Sequence, residues 1–305
     1  MMVGREFRAK VPQHHLAQGN AHDGQVHVVK YCMLYLLLLA IALPIVLLQF
    51  FSIHNRSDNM ASSTALLKSI IIPPGSGKAA TATVIFSHGL GDSGAGWADV
   101  AQMLSARPKL RNVRFVLPHA PSQPVTLNAG YRMPSWFDIY SLDNINGTED
   151  EKGLLESKNR ISKLIENEIS NGVPANRIVV GGFSQGGAVS YLTGLLYPTP
   201  LAGIVALSTW LPIRDYISKA LQASGSTPPA NPPPIFHGHG NADPVVQYEF
   251  GKRTIDFLKT PKDKGGLGFS EDKIRFETYP GMPHSACPQE IEHIGEFLDK
   301  VIGDA

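Results

Sequence analysis

Cysteine is almost missing from this chain. Its 305 residues hold two, Cys32 and Cys287, too few for a disulfide framework and in surroundings too unlike to predict a pair. Nothing therefore argues for an oxidising compartment. An excess of charge of one sign is missing too: 27 Lys+Arg stand against 26 Asp+Glu. With no clustered basic stripe there is no electrostatic footprint for nucleic acid, and that class is set aside. Charged residues make up only 17% of the chain and hydrophobic ones 43%, which excludes a disordered chain and predicts a packed core. The 29 Gly and 23 Pro carry no short period that would indicate collagen, and no internal repeat is present.

What is present divides at Met60. Residues 1–59 contain five basic residues (Arg5, Arg8, Lys10, Lys30, Arg56) and three acidic ones (Glu6, Asp23, Asp58), leaving 22 basic against 23 acidic in 60–305. Within the first part, Tyr31 to Ile53 runs 23 residues without a charge. At roughly 1.5 Å per helical residue that length crosses a hydrocarbon core of about 30 Å, so 31–53 is predicted as a transmembrane helix. Pro44 near its middle is tolerated in a membrane helix with a kink. The run is longer than a signal-peptide core and lacks a small-residue cleavage site. Lys30 before it and Arg56 and Lys68 after it are too balanced to set an orientation.

From Met60 onward, short aliphatic runs alternate with helical stretches. Strands are predicted at Leu67–Ile72, Val84–Ser87, Val113–Leu117, Ile178–Gly181, Gly203–Leu207, Ile235–His237 and Ile274–Tyr279. A helix over Glu149–Asn171 places Leu154, Ile161, Leu164, Ile165 and Ile169 on one face, and a last helix does the same with Ile291, Ile294, Phe297, Leu298 and Val301. Near-continuously apolar strands separated by helices predict a single α/β domain, a mostly parallel sheet covered on both faces, preceded by the N-terminal hydrophobic helix. Residues 222–234 and 261–271 are predicted as surface loops from their Gly and Pro content.

Chemistry concentrates in three turns, each after a predicted strand. Gly182-Phe183-Ser184-Gln185-Gly186 has the G-x-S-x-G spacing, between a strand and a helix. A serine hydroxyl becomes a useful nucleophile when a sharp turn exposes it to a base, and flanking glycines remove the Cβ atoms that would obstruct the turn. A capping serine in an ordinary strand-to-helix turn is the plainer alternative. His88-Gly89-Leu90-Gly91 is of the type that supplies an oxyanion-hole amide, so Leu90 and Gln185 are the candidate donors, worth about 3–4 kcal/mol each in comparable sites. Asp92 and His88 precede the serine, whereas this fold runs nucleophile, acid, base. That order selects Asp243 and His284, each just past a strand: the histidine takes the serine proton and the aspartate fixes its tautomer. His237 and His239, on the acid's own loop, and His293, a surface position on the last helix, are rival bases. A metal site at His237/His239 lacks a third ligand.

HGLGDSG (88–94), MPSWFDI (133–139), RIVVGGFSQGGA (177–188), LSTWLP (207–212), HGNADPVV (239–246) and GMPHSAC (281–287) together resemble the acyl-protein thioesterase/lysophospholipase group of α/β-hydrolases, over essentially Leu66 to the C-terminus. The resemblance implies a cytosolic serine hydrolase that removes long-chain S-acyl groups, chiefly palmitate, from protein cysteines, with some lysophospholipase or short-ester activity. It implies the triad Ser184, Asp243, His284 and the oxyanion donors Leu90 and Gln185, and makes Leu90, Met133, Trp136 and Val245 acyl-channel candidates, with core packing the alternative for Met133 and Trp136. Neither cofactor nor metal is called for. S-acylated proteins, lysophospholipids and the membrane surface are the partners it implies; a tethered binder of lipidated proteins that lacks catalysis is the reading from another class. Family members usually start close to Met60. Residues 1–59 are thus either an anchor holding a cytosol-facing enzyme or an upstream extension absent from the main product, which would then be cytoplasmic and nuclear. The Gly-rich stretch at 265–268 lengthens the interval from acid to base.

Overall fold

The computed structural model describes residues 66–142, 147–223 and 232–304. The predicted segment 1–59 with its helix at 31–53, and the middle of the predicted loop 222–234, lie outside the described residues. Among the described residues no helix is long and apolar enough to cross a membrane.

Seven strands form one sheet: β1 (Ser69–Ile72), β2 (Ala82–Ser87), β3 (Val113–Pro118), β6 (Ile178–Phe183), β7 (Gly203–Leu207), β8 (Ile235–Gly240) and β9 (Ile274–Tyr279), in the order β1-β3-β2-β6-β7-β8-β9. All neighbours are parallel except β1, which pairs antiparallel with β3, Ser69 opposite Pro118. Every residue of β2, β7 and β8 is buried, as a sheet covered on both faces requires. Alternate residues serve opposite faces. Ile85, Ile178, Val180 and Ile204 join one apolar cluster, while Val84, Phe86, Val179 and Val205 join the other.

Helices α1 (Ala98–Ser105) and α6 (Pro288–Val301) cover the second cluster through Ala101, Leu104, Ile294, Phe297 and Leu298. The first cluster is covered by α2 (Glu151–Ser170), α3 (Gln185–Leu196), α4 (Arg214–Ala223) and α5 (Tyr248–Lys259), through residues such as Leu154, Ile165, Leu192, Ile217 and Leu258. Helix α3 is buried on nearly every side, so it runs through the protein interior rather than along its surface. The chain leaves β3 and re-enters the sheet at β6, on the far side of β2. That crossing makes the β2/β6 boundary a switch point, where the loops at the strand ends diverge and leave a crevice.

Two expectations are corrected, and one hairpin is added. Ile169 is exposed, and Glu168 takes its inward place, accepting a 2.7 Å bond from Thr83 Oγ1 and an ion pair from Arg114 at 3.3 Å. The 261–271 segment is not a plain surface loop. Leu267 and Phe269 are buried in the first cluster, tied back by Leu267 N–H to Phe257 O (3.0 Å) and Phe269 N–H to Leu258 O (2.8 Å). Finally, β4 (Ser122–Val125) and β5 (Tyr131–Pro134) form an antiparallel hairpin that was not predicted, because Pro124 and Pro134 within such short runs mask a strand pattern.

Candidate active site

The turn from β6 to α3 holds Ser184 at φ +53° and ψ −121°, left-handed backbone that a residue with a Cβ rarely adopts. The surroundings enforce it. Ser184 N–H donates to Leu207 O at 2.8 Å, and Ser184 O accepts from Thr209 Oγ1 at 2.7 Å and from Ala188 N–H at 3.1 Å. A Cβ on Gly182 would stand 2.4 Å from the Gly186 carbonyl carbon, and one on Gly186 would stand 2.2 Å from Ser87 O. Both flanking positions of the motif therefore require glycine for close packing against β2, and the serine absorbs the strain. Thr209 comes from the loop after β7, where no local sequence pattern marks it as a brace for the serine turn. Thr209→Val keeps the shape and removes the donor to Ser184 O; it is expected to cost about 1–2 kcal/mol in urea denaturation and to lower ester turnover.

The loop after β2 is braced by its own histidine. His88 is fully buried; its Nε2 accepts from Ala120 N–H (3.0 Å), so Nδ1 carries the hydrogen and donates to Gly89 O (2.7 Å). Burial lowers its pKa and keeps it neutral. Gly91 N–H donates to Pro134 O at 2.8 Å, tying this loop to β5, while the Leu90 amide makes no backbone–backbone bond among the described residues. Gln185, first residue of α3, has its buried side chain fully engaged: Oε1 accepts from Trp136 N–H (2.8 Å), and Nε2 donates to Phe137 O (2.6 Å) and Ser135 Oγ (2.9 Å). Its backbone amide lies at the N-terminus of α3, where the helix dipole favours an anion.

Past β8 and β9 the structure brings Asp243 and His284 together, Oδ2 to Nδ1 at 2.7 Å. The other carboxylate oxygen accepts from Val245 N–H (2.8 Å) and Val246 N–H (2.9 Å). A carboxylate can only accept, so His284 carries its hydrogen on Nδ1 and its Nε2 keeps a lone pair. The imidazole ring lies 4.6 Å, centroid to centroid, from the ring of Phe183, the residue before Ser184.

The remaining candidates separate by exposure. Leu90 and Met133 are half-buried and Val245 is exposed, but Trp136 is fully buried, its indole N–H donating to His88 O at 2.8 Å. Trp136 is thus a support beneath the loop after β2, and packing explains it better than contact with an acyl chain. His237 and His239 lie on strand β8 rather than on a loop, both fully buried. His293 is half-buried, 3.1 Å from Tyr279 Oη. Among the described residues no group of three or more His, Cys, Asp or Glu is placed to hold a metal ion.

A mostly parallel sheet covered by helices on both faces, with a strained serine at the turn after a central strand, defines an α/β-hydrolase. The chain belongs to the phospholipase/carboxylesterase family, which matches residues 69–302, and it is therefore a hydrolytic enzyme. It is 56% identical over 246 residues to the acyl-protein thioesterase 1 of Mycosarcoma maydis, covering 78% of this chain and 98% of that one. It is 51% identical over 228 residues to the acyl-protein thioesterase 1 of Cryptococcus neoformans, covering 72% and 92%. Among solved structures, Zea mays acyl-protein thioesterase 2 matches with a TM-score of 0.65 at 29% identity, over 77% of this chain and 99% of that one.

Proposed function

We propose that this enzyme removes S-linked long-chain acyl groups from protein cysteines, with Ser184 as nucleophile, His284 as base, Asp243 as its orienting acid, and the amides of Leu90 and Gln185 as the oxyanion hole. Ser184 Oγ attacks the thioester carbonyl carbon as His284 Nε2 takes its proton. The carbonyl oxygen gains charge facing the two amides; the C–S bond then breaks, and His284 returns the proton to the leaving thiol. Water, deprotonated by the same nitrogen, attacks the acyl-serine carbonyl carbon; the bond to Ser184 Oγ breaks, the fatty acid leaves, and His284 returns the proton to Oγ. Leu90, Met133 and Val245 flank the acyl chain. S-acylated proteins at a membrane surface are the substrates, and the catalytic unit faces the cytosol, either from an anchor within residues 1–59 or as a chain begun at Met60. The reading rests above all on the 56% identity, sustained over 246 residues, to a relative named as an acyl-protein thioesterase.

A lysophospholipase or carboxylesterase working by the same steps is the second reading, favoured by the family description. A fluorophosphonate probe should label the parent enzyme and not Ser184→Ala, and kcat/KM should be higher for an S-palmitoyl peptide than for lysophosphatidylcholine or a short p-nitrophenyl ester. An undiminished adduct in Ser184→Ala would overturn the nucleophile. Faster turnover of the lysolipid would select the second reading.

A further inference from the structure

Behind the acid loop lies a buried cluster of titratable groups that the roles above leave unused. Tyr191 on α3 and His237 and His239 on β8 are all fully buried. Tyr191 Oη lies 2.7 Å from His237 Nδ1, His237 Nε2 lies 3.3 Å from His239 Nδ1, and His239 Nε2 lies 2.8 Å from Val246 O. The two imidazole planes are within 10° of each other with centroids 5.6 Å apart, so the rings lie edge to edge, as an in-plane N–H···N bond requires. Helix α5 closes over them at Gly251, where a Cβ would come within 2.6 Å of His239 Nδ1 and 3.0 Å of His237 Nε2.

The far end fixes the direction of every bond. A carbonyl oxygen only accepts, so His239 Nε2 carries a hydrogen. Burial drives the pKa of both histidines down, so each ring holds one hydrogen. His239 Nδ1 must then accept, His237 Nε2 must donate, His237 Nδ1 must accept, and the Tyr191 hydroxyl must donate. The phenol keeps its hydrogen, since burial pushes its pKa far up. A one-way chain of donors thus runs from α3 to the acid loop.

That chain ends on the residue that holds the acid. Val246 gives its N–H to Asp243 Oδ1 at 2.9 Å while its carbonyl receives His239, and His239 Nε2 also lies 3.6 Å from Asp243 Oδ2, the oxygen that accepts from His284. We propose that His239 is a positioning residue for the acid: aligned by the chain from Tyr191 through His237, it clamps Val246 and leaves Oδ2 of Asp243 to His284 alone. The proposal rests on Asp243 and His284 being the acid and base.

A second proton on His239 would break this arrangement. It would set two N–H groups against each other across the His237–His239 contact and place a cation beside Asp243 in competition with His284. The groups facing His239 are His237 on its own strand, Asp243 and His284 from the loops after β8 and β9, and Tyr248 of α5, whose ring stands edge-on at 5.8 Å. Of these, Asp243 favours a cation, which burial, the neighbouring histidines and the chain oppose.

Tyr191→Phe, which touches no reacting atom, tests this. Without the hydroxyl, His237 is free to move its hydrogen to Nδ1; two lone pairs then face each other, and His239 gains a proton at higher pH than before. With p-nitrophenyl butyrate as substrate, the alkaline plateau of kcat/KM should stay within about threefold of the parent, while the acid limb moves to higher pH and steepens from about one proton to about two. His239→Gln, able to donate to Val246 O without taking a second proton, should keep a one-proton limb and near-parental kcat. His239→Ala should lose about 10- to 100-fold in kcat with KM within about twofold. An acid limb unchanged in Tyr191→Phe, or equal kcat in His239→Gln and His239→Ala, overturns the proposal whatever the melting temperatures do; should Tyr191→Phe fail to fold, the Gln/Ala pair decides alone. Asp243→Ala in the same assay separates the two levels: parental turnover there would remove the acid assignment itself, whereas collapse there beside parental Tyr191 and His239 variants would remove only this inference.

Discussion

His284→Ala is expected to lower kcat/KM for thioesters and esters alike by about 10⁴- to 10⁶-fold while the protein stays folded. The ring's hydrogen bond to the buried Asp243 carboxylate at 2.7 Å fixes which nitrogen is free to take a proton, and no other described histidine can replace it. His88, His237 and His239 are buried with their nitrogens engaged, His119 accepts from Gly94 N–H at Nδ1 (3.1 Å) and has no carboxylate partner among the described bonds, and His293 is held at Tyr279. The fold survives because Asp243 retains the Val245 and Val246 amides. Asp243→Asn gives the complementary test. Two amide donors oblige the asparagine oxygen to stay at the Oδ1 position, so its NH₂ must face His284 Nδ1. The ring hydrogen then moves to Nε2, which points the wrong group at the serine, and a fall of about 10⁴-fold follows from that tautomer alone. Turnover by either variant within tenfold of the parent, in a p-nitrophenyl butyrate assay paired with circular dichroism melts, would mean that the base and acid lie elsewhere.

The central strands were legible because burial on both faces leaves an uninterrupted aliphatic record, and Gly203–Leu207 and Ile274–Tyr279 were bounded correctly. Strand β8 was cut short at His237, since Phe-His-Gly-His-Gly reads as a polar turn; it continues to Gly240 because Tyr191, 46 positions earlier, satisfies the first histidine. The same limit explains Glu168 and Ile169. Helical spacing marked the inward face to within one residue, but the partners that make an inward glutamate acceptable, Thr83 and Arg114, are remote in sequence. At the site, the G-x-S-x-G spacing and the chain order singled out Ser184, Asp243 and His284. The braces around them, Thr209 on Ser184, Gln185 on residues 135–137 and His88 on Ala120, are contacts between loops that share no local pattern.

Glu290→Gln is expected to make this enzyme more stable at alkaline pH. Glu290 lies in the first turn of α6, fully buried, and neither carboxylate oxygen has a hydrogen-bond partner among the described residues. It packs so closely on β8 that a Cβ at Gly238 would stand 2.2 Å from Oε1. The helix N-terminus favours a negative charge there, but removal from water opposes it more strongly, and burial pushes the carboxyl pKa up to about 8. In the unfolded chain the same group titrates near 4.3. Below that pH both states are protonated and the group costs nothing. Between the two values the unfolded chain has released a proton that the native state retains, so stability falls as pH rises, by at most about 1.4 kcal/mol per unit; above about 8 the decline from this group stops. Glutamine has the shape of the neutral acid and does not titrate. Its variant should melt close to the parent at pH 5 and, at pH 9, be more stable by about 2–4 kcal/mol, roughly 5–15 °C for a domain of this size. Scanning calorimetry at pH 5, 7 and 9 measures the divergence. Parallel curves for parent and variant would mean that Glu290 is ionised in the native state at neutral pH, held by partners other than those described.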